Sequence, residues 1–445
     1  MKILLVHPRR RDKYNYNGGI KAYIPPLTLP VLAGLTPKNI EIELCDENVE
    51  DVNFNTNADL VGITGITTLI NRAYEIADIF RKRGKKVIMG GIHVSAMPDE
   101  AKNHADSILI GEAEDLWEEI IEDFRNNRLK EEYKSETYPD LKKIVIPRYE
   151  LLKFNKYRKS TGTNMPRLPI QSSRGCPFNC KFCSVTKFWG PKIRTKPLEN
   201  VEKELLYIKS LGTNRIFFSD DNFIADINYT RDLINLLKKY NFSWICQVST
   251  NIYNHEDLIV DMKKAGCSAV YLGIETFSGE DLENINKNFN KMVNYEKLFA
   301  LFAKYNIRVT ASMIVGLDAD TKKTLEHMIQ LLIRFKVSYA QFFLLMLLPG
   351  TKMREDFLKN NRIIDHNWDH QNGTVVTFLP KSFQIEELQD YYWELYHKFY
   401  SYQSIISRIF TLNNIKFGVK SIYVPLRSNL YFLKKLKRKL HPIEN

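Results

Sequence analysis

Short apolar runs alternate with longer helical patterns along the first 125 residues of the chain. The apolar runs predict five strands, at residues 3–7, 40–45, 60–64, 87–91 and 107–111. Stretches such as 69–83 lie between them, with apolar residues at the spacing of one helix face. Strands that alternate with helices predict a parallel sheet covered on both faces, the open doubly wound α/β architecture.

A second strand–helix series begins at Pro169, after a polar and aromatic segment that we interpret as a linker over 126–168. Its strands are predicted at 170–173, 215–220, 244–250, 269–275, 308–316 and 339–345. Six such units fit an open, partial barrel better than a closed eight-stranded one. A loop with Trp368 and His370, an aromatic helix over 384–402 and a basic tail follow. We therefore expect domains at 1–125 and 169–350, and a helical region at 351–445.

The positive charge of the chain is concentrated near its C-terminus. The net charge is +12 over 445 residues, and the segment 395–442 supplies ten basic residues and no acidic one. A solvated pair of amphipathic terminal helices is the simpler interpretation. The alternative is a patch for a membrane surface or an anionic substrate. No recognition motif for nucleic acid accompanies the charge, so we expect no nucleic-acid partner.

The apolar runs of the chain are all shorter than the ~18–20 residues needed to span a bilayer. The start, MKILLVHPRRRDKY, has only a four-residue apolar run and does not resemble a secretion signal. We therefore expect a cytoplasmic protein, with peripheral attachment to a membrane as the further hypothesis. In that compartment clustered cysteines indicate metal or redox chemistry rather than a disulfide framework.

Three of the six cysteines, Cys176, Cys180 and Cys183, fall in SSRGCPFNCKFCSV, directly after the first strand of the second series. Three thiolates suit an iron–sulfur cluster or, with a fourth ligand, zinc. Zinc would require a further short-spaced pair, whereas Cys45, Cys246 and Cys267 are isolated. A [4Fe–4S] cluster on three cysteines leaves one iron open to a small-molecule ligand.

Polar residues share one face of the later barrel strands. With a period of two, Gln247, Ser249 and Asn251 lie on one face of their strand, opposite Cys246. In the next strand Glu275 shares a face with Tyr271 and Gly273. We expect the polar faces to point into the barrel and Cys246 to pack outside it. Asp220, Asp221 and Asn222 end the second strand and Gly316 ends the fifth, and periodicity does not separate Asp220 from Asp221.

The strand ends of the first domain carry small and polar residues where a doubly wound sheet binds ligands. Glycines in this position allow close approach of a large cofactor, although plain turn chemistry explains one or two of them. The residues concerned are Asn48, Thr64, Gly65, Thr67, Thr68, Gly90, Gly91, His93, Gly111 and Glu112.

The sequence SRGCPFNCKFC resembles the signature of the radical S-adenosylmethionine (radical SAM) superfamily. PPLTLPVLAGL, VGITGITT, VIMGGIHVSAMPDEA and ILIGEAE resemble the class that also carries a cobalamin-binding domain, and the likeness covers about 1–370. It implies a Rossmann-like cobalamin-binding domain, then a partial (β/α)6 barrel of TIM type and a basic helical extension. The three cysteines would hold the cluster.

The resemblance also implies which residues contact the cofactors. S-adenosylmethionine would contact Phe182, Asp220, Asp221, Asn222, Gln247, Ser249, Asn251, Glu275 and Gly316, and cobalamin would contact the strand-end residues of the first domain. Many cobalamin domains use D-x-H-x-x-G, whose histidine binds cobalt. Here the corresponding stretch begins at Asp46 and places Asn48 at the histidine position. The resemblance therefore implies cobalamin without histidine ligation, and we expect His93 to be a structural or hydrogen-bonding residue.

The reaction implied by the resemblance is radical methylation of an unactivated carbon. One S-adenosylmethionine methylates cobalamin, and a second is reductively cleaved to the radical that activates the substrate. The electron would come from an external reductant such as flavodoxin or ferredoxin. The alternative is a radical cyclase, carbon–carbon bond-forming or rearrangement enzyme in which cobalamin is absent or is not a methyl donor. A non-catalytic iron–sulfur carrier is disfavoured by the nucleotide-facing polar residues. The aromatic helix and basic tail favour a lipid or another small-molecule substrate.

Overall fold

The protein contains two parallel six-stranded sheets and a C-terminal helical region. The structure is a computed structural model that describes residues 1–11, 24–143, 145–159 and 164–441. Both sheets are built from strand–helix units, as the alternating pattern predicts.

The first sheet has the strand order β2-β1-β3-β4-β5-β6, and every pairing is parallel. Its central strands are buried on both faces, which is why they appear in the sequence as continuous apolar runs. The strands are β1 (Lys2–His7), β2 (Glu41–Asp46), β3 (Leu60–Thr64), β4 (Lys86–Gly90), β5 (Ser107–Ile110) and β6 (Glu132–Lys134).

Helices cover both faces of this sheet. In the second of them, Ile70, Ala73, Ala77 and Phe80 are buried at helical spacing, so the apolar stripe faces the strands. The helices are α1 (Thr28–Leu35), α2 (Ile70–Lys82), α3 (Ile92–Ala96), α4 (Pro98–Lys102) and α5 (Trp117–Arg125).

The segment expected to be an irregular linker is partly built into the first domain. Strand β6 extends the first sheet, with Tyr133 buried against it. Farther along, the Tyr157 hydroxyl donates to Asp46 Oδ2 at 2.8 Å, and Tyr149 Oη lies 2.6 Å from the carbonyl oxygen of Pro169. The sequence did not reveal these elements for two reasons. The segment is polar, and a strand of three residues gives almost no periodic signal.

The second sheet has the order β14-β13-β12-β11-β10-β7, again all parallel. It is an open barrel, because β7 and β14 do not pair with each other. The strands are β7 (Leu168–Ile170), β10 (Arg215–Phe218), β11 (Ser243–Ser249), β12 (Cys267–Glu275), β13 (Arg308–Val315) and β14 (Tyr339–Leu344). A two-stranded antiparallel ribbon, β8 (Ser173–Arg174) with β9 (Arg194–Thr195), follows β7.

The helices of the barrel pack outside its strands. Trp244, Cys246 and Val248 of β11 are buried in this outer core, as the strand period predicts for Cys246. The helices are α6 (Val185–Trp189), α7 (Leu198–Ser210), α8 (Ile227–Lys238), α9 (Glu256–Lys264), α10 (Gly279–Asn284), α11 (Tyr295–Lys304), α12 (Lys322–Arg334) and α13 (Lys352–Lys359).

The C-terminal helices are α14 (Ile385–Phe399), α15 (Tyr402–Ile409), α16 (Leu412–Lys416) and α17 (Val419–Lys437). The predicted aromatic helix, α14, covers the edge strand of the barrel. Tyr396 Oη donates to Phe342 O at 2.9 Å, and Tyr400 Oη donates to Ala340 O at 2.9 Å. Tyrosine hydroxyls thus satisfy backbone groups that an uncovered edge would expose. Among the described helices, none is long and apolar enough to cross a membrane.

Candidate active site

The three clustered cysteines lie in the loop between β8 and α6. The loop begins at Gly175, whose φ is +93°, and a Cβ there would lie 2.4 Å from Lys192 O. A side chain at this position is therefore disfavoured by the positive φ and also by the clash with Lys192 O. Farther along, Lys181 N donates to Ile285 O at 3.1 Å, and Lys181 O accepts from Met353 N at 2.9 Å. The backbone of the loop is thus held against two neighbouring segments of the barrel.

Cys176, Cys180 and Cys183 line one cavity of about 420 Å³ at the carboxyl ends of the barrel strands, here called the cysteine cavity. Burial raises the pKa of Cys180 to about 11 and that of Cys183 to about 12. Thiols in such a place become thiolates when iron displaces their protons. Within the described residues, no three His, Cys, Asp or Glu side chains lie close enough to hold one metal ion. Three thiolates that line one cavity would suit an iron–sulfur cluster held by all three.

The opposite wall of the cysteine cavity is polar. Asn222, Gln247, Ser249 and Glu275, all predicted to contact S-adenosylmethionine, line it. The Asn222 Oδ1 accepts from both Ser249 N and Ser249 Oγ at 3.1 Å. Its buried Nδ2 has no hydrogen-bond partner among the described residues, so a donor remains available to a polar ligand. Phe182, also predicted, lines the same cavity.

Lys287 is a functional candidate that sequence reasoning missed. It lines the cysteine cavity, and its Nζ lies 2.5 Å from Glu275 Oε1. Glu275 has a φ of +68°, an uncommon conformation for a residue with a side chain. Lys287 follows α10 in an irregular loop, so no periodic pattern could have placed it. The pair gives the cavity both an acidic and a basic group.

The structure separates Asp220 from Asp221, which the strand period could not. Asp220 is fully buried and accepts from Ser172 Oγ at 2.7 Å and Ser173 Oγ at 2.6 Å. It therefore ties β10 to the segment that follows β7. Asp221 instead lines the cysteine cavity. Burial, and then the charge of Asp220, raise the pKa of Asp221 to about 7.

Two other residues predicted to contact S-adenosylmethionine do not line the cysteine cavity. Asn251 Oδ1 accepts a hydrogen bond from Ser249 Oγ. Gly316 N donates to Asp320 Oδ2 at 2.8 Å, and a Cβ at residue 316 would lie 2.7 Å from the Phe378 ring. Neither residue is among those that line the cysteine cavity, and their contact with S-adenosylmethionine stays a prediction.

A second cavity, of about 370 Å³, lies between the two domains, and we call it the interdomain cavity. Thr64, Gly90, Gly91, Gly111 and Glu112, five of the predicted cobalamin contacts, line it from the first sheet. Gly91 has a φ of +106°, and a Cβ there would lie 2.8 Å from Gly65 O. Gly111 has a φ of +87°, and a Cβ there would meet nothing within 4 Å. Gly91 is thus required by the packing of the strand ends, and Gly111 leaves the backbone bare toward open space.

The other five predicted cobalamin contacts lie outside the interdomain cavity, namely Asn48, Gly65, Thr67, Thr68 and His93. Asn48 Nδ2 donates to Asp46 Oδ1 at 2.8 Å and lies 3.3 Å from His7 Nδ1. His93 is fully buried, 3.2 Å from Thr67 Oγ1, with its ring 4.9 Å from that of Trp368. His93 thus has the structural and hydrogen-bonding surroundings expected of it, and it attaches the C-terminal loop to the first domain.

The barrel contributes the other side of the interdomain cavity through residues that sequence reasoning did not assign. Arg174 Nη1 donates to Glu112 Oε2, and its Nη2 donates to Glu114 Oε1 at 2.5 Å. Arg194 also donates to the Glu112 carboxylate, with Nη1 at 3.1 Å from Oε2. The Arg174 guanidinium lies 4.7 Å from the Trp189 ring centre. Arg174 lies two residues before Cys176. A search for acidic residues that pair with the cysteine loop would therefore have started from Arg174.

Asp221 lines both cavities, which therefore adjoin. Ser219 and Gln171 reach the interdomain cavity from the ends of β10 and β7. A ligand in either cavity would thus lie next to the same carboxyl group. This arrangement suits two large cofactors whose reactive parts face each other.

Two family models match the chain. The B12 binding domain matches residues 18–121, and the radical SAM superfamily matches residues 170–332. The chain is 32% identical over 383 residues to the bacteriochlorophyllide d C-8(2)-methyltransferase of Chlorobaculum tepidum, covering 82% of this chain and 84% of that protein. It is 27% identical over 399 residues to the hopanoid C-2 methylase of Rhodopseudomonas palustris, covering 85% of this chain and 74% of that one.

The fold is also found among solved structures. The radical S-adenosylmethionine methyltransferase TsrM from Kitasatospora setae, with cobalamin and a [4Fe–4S] cluster bound, superposes with a TM-score of 0.62. The match covers 81% of this chain and 78% of TsrM at 16% identity. At that identity the likeness concerns the arrangement of the two domains.

Proposed function

Because this chain belongs to the radical SAM enzymes that carry an N-terminal B12-binding domain, we propose that it methylates an unactivated carbon of an apolar small molecule or lipid. The observation that carries the proposal is the junction of two cavities at Asp221, one lined by the three cysteines and the other by the glycines of the first sheet. The bound cluster and S-adenosylmethionine supply a radical that removes a hydrogen atom, and bound cobalamin supplies the methyl group.

The chain's own residues bind, orient and shield these groups. Cys176, Cys180 and Cys183 hold the cluster. Asn222, with a free amide donor, and the Glu275–Lys287 pair offer both charges to the amino and carboxylate groups of S-adenosylmethionine. Gly90, Gly91 and Gly111 line the cavity proposed for cobalamin, and at Gly111 the space where a Cβ would lie is open. Asn48 is bonded to Asp46 and lies outside the interdomain cavity, and no histidine is among the described residues that line it, so the chain would offer bound cobalamin no histidine ligand there.

An apolar substrate suits the lining of the interdomain cavity. The cavity is lined from the first domain by Leu27, directly before α1, and by Val31 and Leu32 within α1. Phe188 and Trp189 line it from the barrel. The two relatives described above are named for a bacteriochlorophyllide and for a hopanoid. These observations favour a substrate of the same chemical class.

The first experiment tests the radical chemistry. Protein reconstituted with iron and sulfide, then reduced, should cleave S-adenosylmethionine to 5′-deoxyadenosine, measured by chromatography. Cys176→Ala should abolish this product, whereas Cys246→Ala should retain it, since Cys246 is buried in the outer core. Cleavage that persists in Cys176→Ala would contradict the cluster assignment.

The second experiment tests cobalamin. Gly111 and Gly84 both have positive φ and open space where a Cβ would lie, but only Gly111 lines the interdomain cavity. Gly111→Ala should therefore weaken corrinoid binding, measured by absorbance, while Gly84→Ala carries the same backbone cost and should not. Equal binding by both variants would argue against cobalamin at this site.

Product analysis separates methylation from the cyclase and rearrangement alternatives. Apolar cell extract is incubated with the loaded enzyme and S-adenosylmethionine labelled in its methyl group. A labelled product heavier than its precursor by one methylene supports methylation. An unlabelled product isomeric with its precursor, or lighter by two hydrogens, would point to the alternative chemistry.

We also propose a cytoplasmic location and an external one-electron reductant such as a flavodoxin or ferredoxin. None of the six cysteines, all of them among the described residues, forms a disulfide, which suits a reducing compartment. Reduction by purified flavodoxin should support 5′-deoxyadenosine formation in place of a chemical reductant. If neither purified flavodoxin nor purified ferredoxin supports 5′-deoxyadenosine formation, this part of the proposal is removed.

A further inference from the structure

Apolar side chains project into solvent from the C-terminal helices. Six of them fall within fourteen consecutive residues, and Leu412 and Val419 are 86% and 80% exposed. Soluble surfaces rarely present so many large apolar groups together without a partner. We call these six residues the docking surface: Phe410, Leu412, Ile415, Phe417, Val419 and Tyr423.

The helix α17 has apolar residues on two faces. Its inner face, including Leu426 and Leu433, packs against Ile405 and Ile409. Its outer face begins with Val419 and Tyr423, one helical turn apart and both exposed. Packing within the chain accounts for the inner face alone, so the outer face is available to a partner.

The charged residues of the chain segment that carries the docking surface are all positive. Seven lysines and arginines between residues 416 and 439 are exposed, and residues 401–441 contain no acidic side chain. Lys416 and Lys420 alternate with the exposed apolar residues. In the described part of the chain, none of these seven cations forms an ion pair with a carboxylate. The patch therefore combines apolar groups with uncompensated positive charge.

This surface lies at the opposite end of the barrel from the cysteine cavity. Arg408 Nη1 donates to Val337 O at 2.9 Å, just before β14 begins, and Asn306 Nδ2 donates to Ser421 Oγ at 3.1 Å, just before β13 begins. The C-terminal helices thus pack at the amino ends of the strands, whereas the cysteine cavity lies at the carboxyl ends. The docking surface can therefore attach the protein without blocking either cavity.

We propose that the docking surface binds the protein to a bilayer that contains anionic lipids. Exposed leucine, valine and aromatic side chains enter the boundary between headgroups and acyl chains, while the lysines and arginines contact lipid phosphates. A second copy of the chain would bring two uncompensated positive surfaces together. Nucleic acid would match the charge but leave the apolar groups in water. An anionic bilayer satisfies both features.

The test is co-sedimentation of the full-length protein with vesicles. Binding should be strong to vesicles of equal parts phosphatidylglycerol and phosphatidylcholine, weak to phosphatidylcholine alone, and reduced by salt. The double variant Leu412→Ser/Val419→Ser should bind about tenfold more weakly or worse, since its inserted apolar area is lost. Lys416→Gln and Lys420→Gln should each weaken binding to anionic vesicles about fivefold.

Matched controls distinguish substitutions in the docking surface from the loss of an exposed apolar group or an exposed charge elsewhere. Met292 is 85% exposed on the barrel, so Met292→Ser removes an apolar group of similar exposure and should leave vesicle binding unchanged. Lys209→Gln and Lys239→Gln remove exposed charges elsewhere and should behave likewise.

Three results would overturn the proposal: no binding to the anionic vesicles at low salt, equal binding by the serine double variant, or a dimer that requires Leu412 and Val419. Cleavage of S-adenosylmethionine in solution should be normal in every variant, because none of these residues lines the cysteine cavity or the interdomain cavity. Loss of vesicle binding and loss of catalysis are therefore separate outcomes.

Discussion

The ion pairs between Arg174 and the first domain should control the order of the cysteine loop. Glu112 receives hydrogen bonds from both Arg174 and Arg194, which flank the loop in the ribbon β8–β9. Glu112→Gln keeps the size of the side chain but removes its charge. Arg174 then keeps Glu114 as its one carboxylate partner, together with Gln171 Oε1, and Arg194 keeps the carbonyl oxygens of Pro139 and Trp189.

The expected effect follows from burial. Arg174 and Glu112 are each 6% exposed, and removing one partner of a buried ion pair costs about 3–5 kcal/mol. Since Glu114 still pairs with Arg174, we take the lower end, about 3 kcal/mol for local opening of the ribbon. That free energy corresponds to about 150-fold faster exchange of protected amides.

Amide hydrogen exchange measured by mass spectrometry on peptides covering 172–195 reports this opening directly. Glu118→Gln is the matched control, because Glu118 is an exposed glutamate on the neighbouring helix α5. Exchange in the ribbon should accelerate in Glu112→Gln and stay unchanged in Glu118→Gln, and peptides from β12 and β13 should be unaffected in both. Unchanged exchange at 172–195 in Glu112→Gln would refute the idea that this network orders the cysteine loop.

Three further predictions concern single side chains. Asp221→Asn should lower methyl transfer more than cleavage of S-adenosylmethionine, because Asp221 faces both cavities; an equal loss of both activities would contradict this. Burial, and then the charge of Asp281, raise the pKa of Asp320 to about 7, so the stability it contributes is complete below about pH 4 and is lost as the pH rises through about 7. Asp320→Asn, which keeps an acceptor for Gly316 N and Leu317 N, should therefore raise Tm relative to the native chain at pH 8 but not at pH 4; a gain independent of pH would refute the assignment. Tyr400→Phe leaves Ala340 N and O without the hydroxyl that bonds them, and should cost about 1–3 kcal/mol, seen as a lower Tm than that of the exposed control Tyr402→Phe.

Much of the chemistry could be predicted from local spacing. The C-x3-C-x2-C pattern predicted the cluster ligands, and the family comparison confirms the radical SAM assignment. The strand period placed Gln247 and Ser249 toward the cavity and Cys246 in the outer core, as the structure has them. These features depend on residues a few positions apart, and such relations are fixed by backbone geometry alone.

Contacts between distant segments could not be read in the same way. Asp220 and Asp221 are adjacent, yet one bonds Ser172 and Ser173 across the sheet while the other faces both cavities. Thr67 and His93 lie shortly after strands β3 and β4, where cofactor contacts are expected. In the structure, His93 lies 3.2 Å from Thr67 Oγ1 and packs against Trp368, which is distant in the sequence.

The sequence by itself therefore determined the two domain types, the grouping of three cysteines in one loop and the faces on which Gln247, Ser249 and Cys246 lie, because periodic burial needs only the local chain direction. The tertiary structure alone decided that the two cavities meet at Asp221, that Arg174 pairs with Glu112 and Glu114, and that Leu412 and Val419 stay in solvent. Each of these depends on how separately folded elements pack against one another. Side chains far apart in sequence acquire partners, or remain without them, only when that packing is complete.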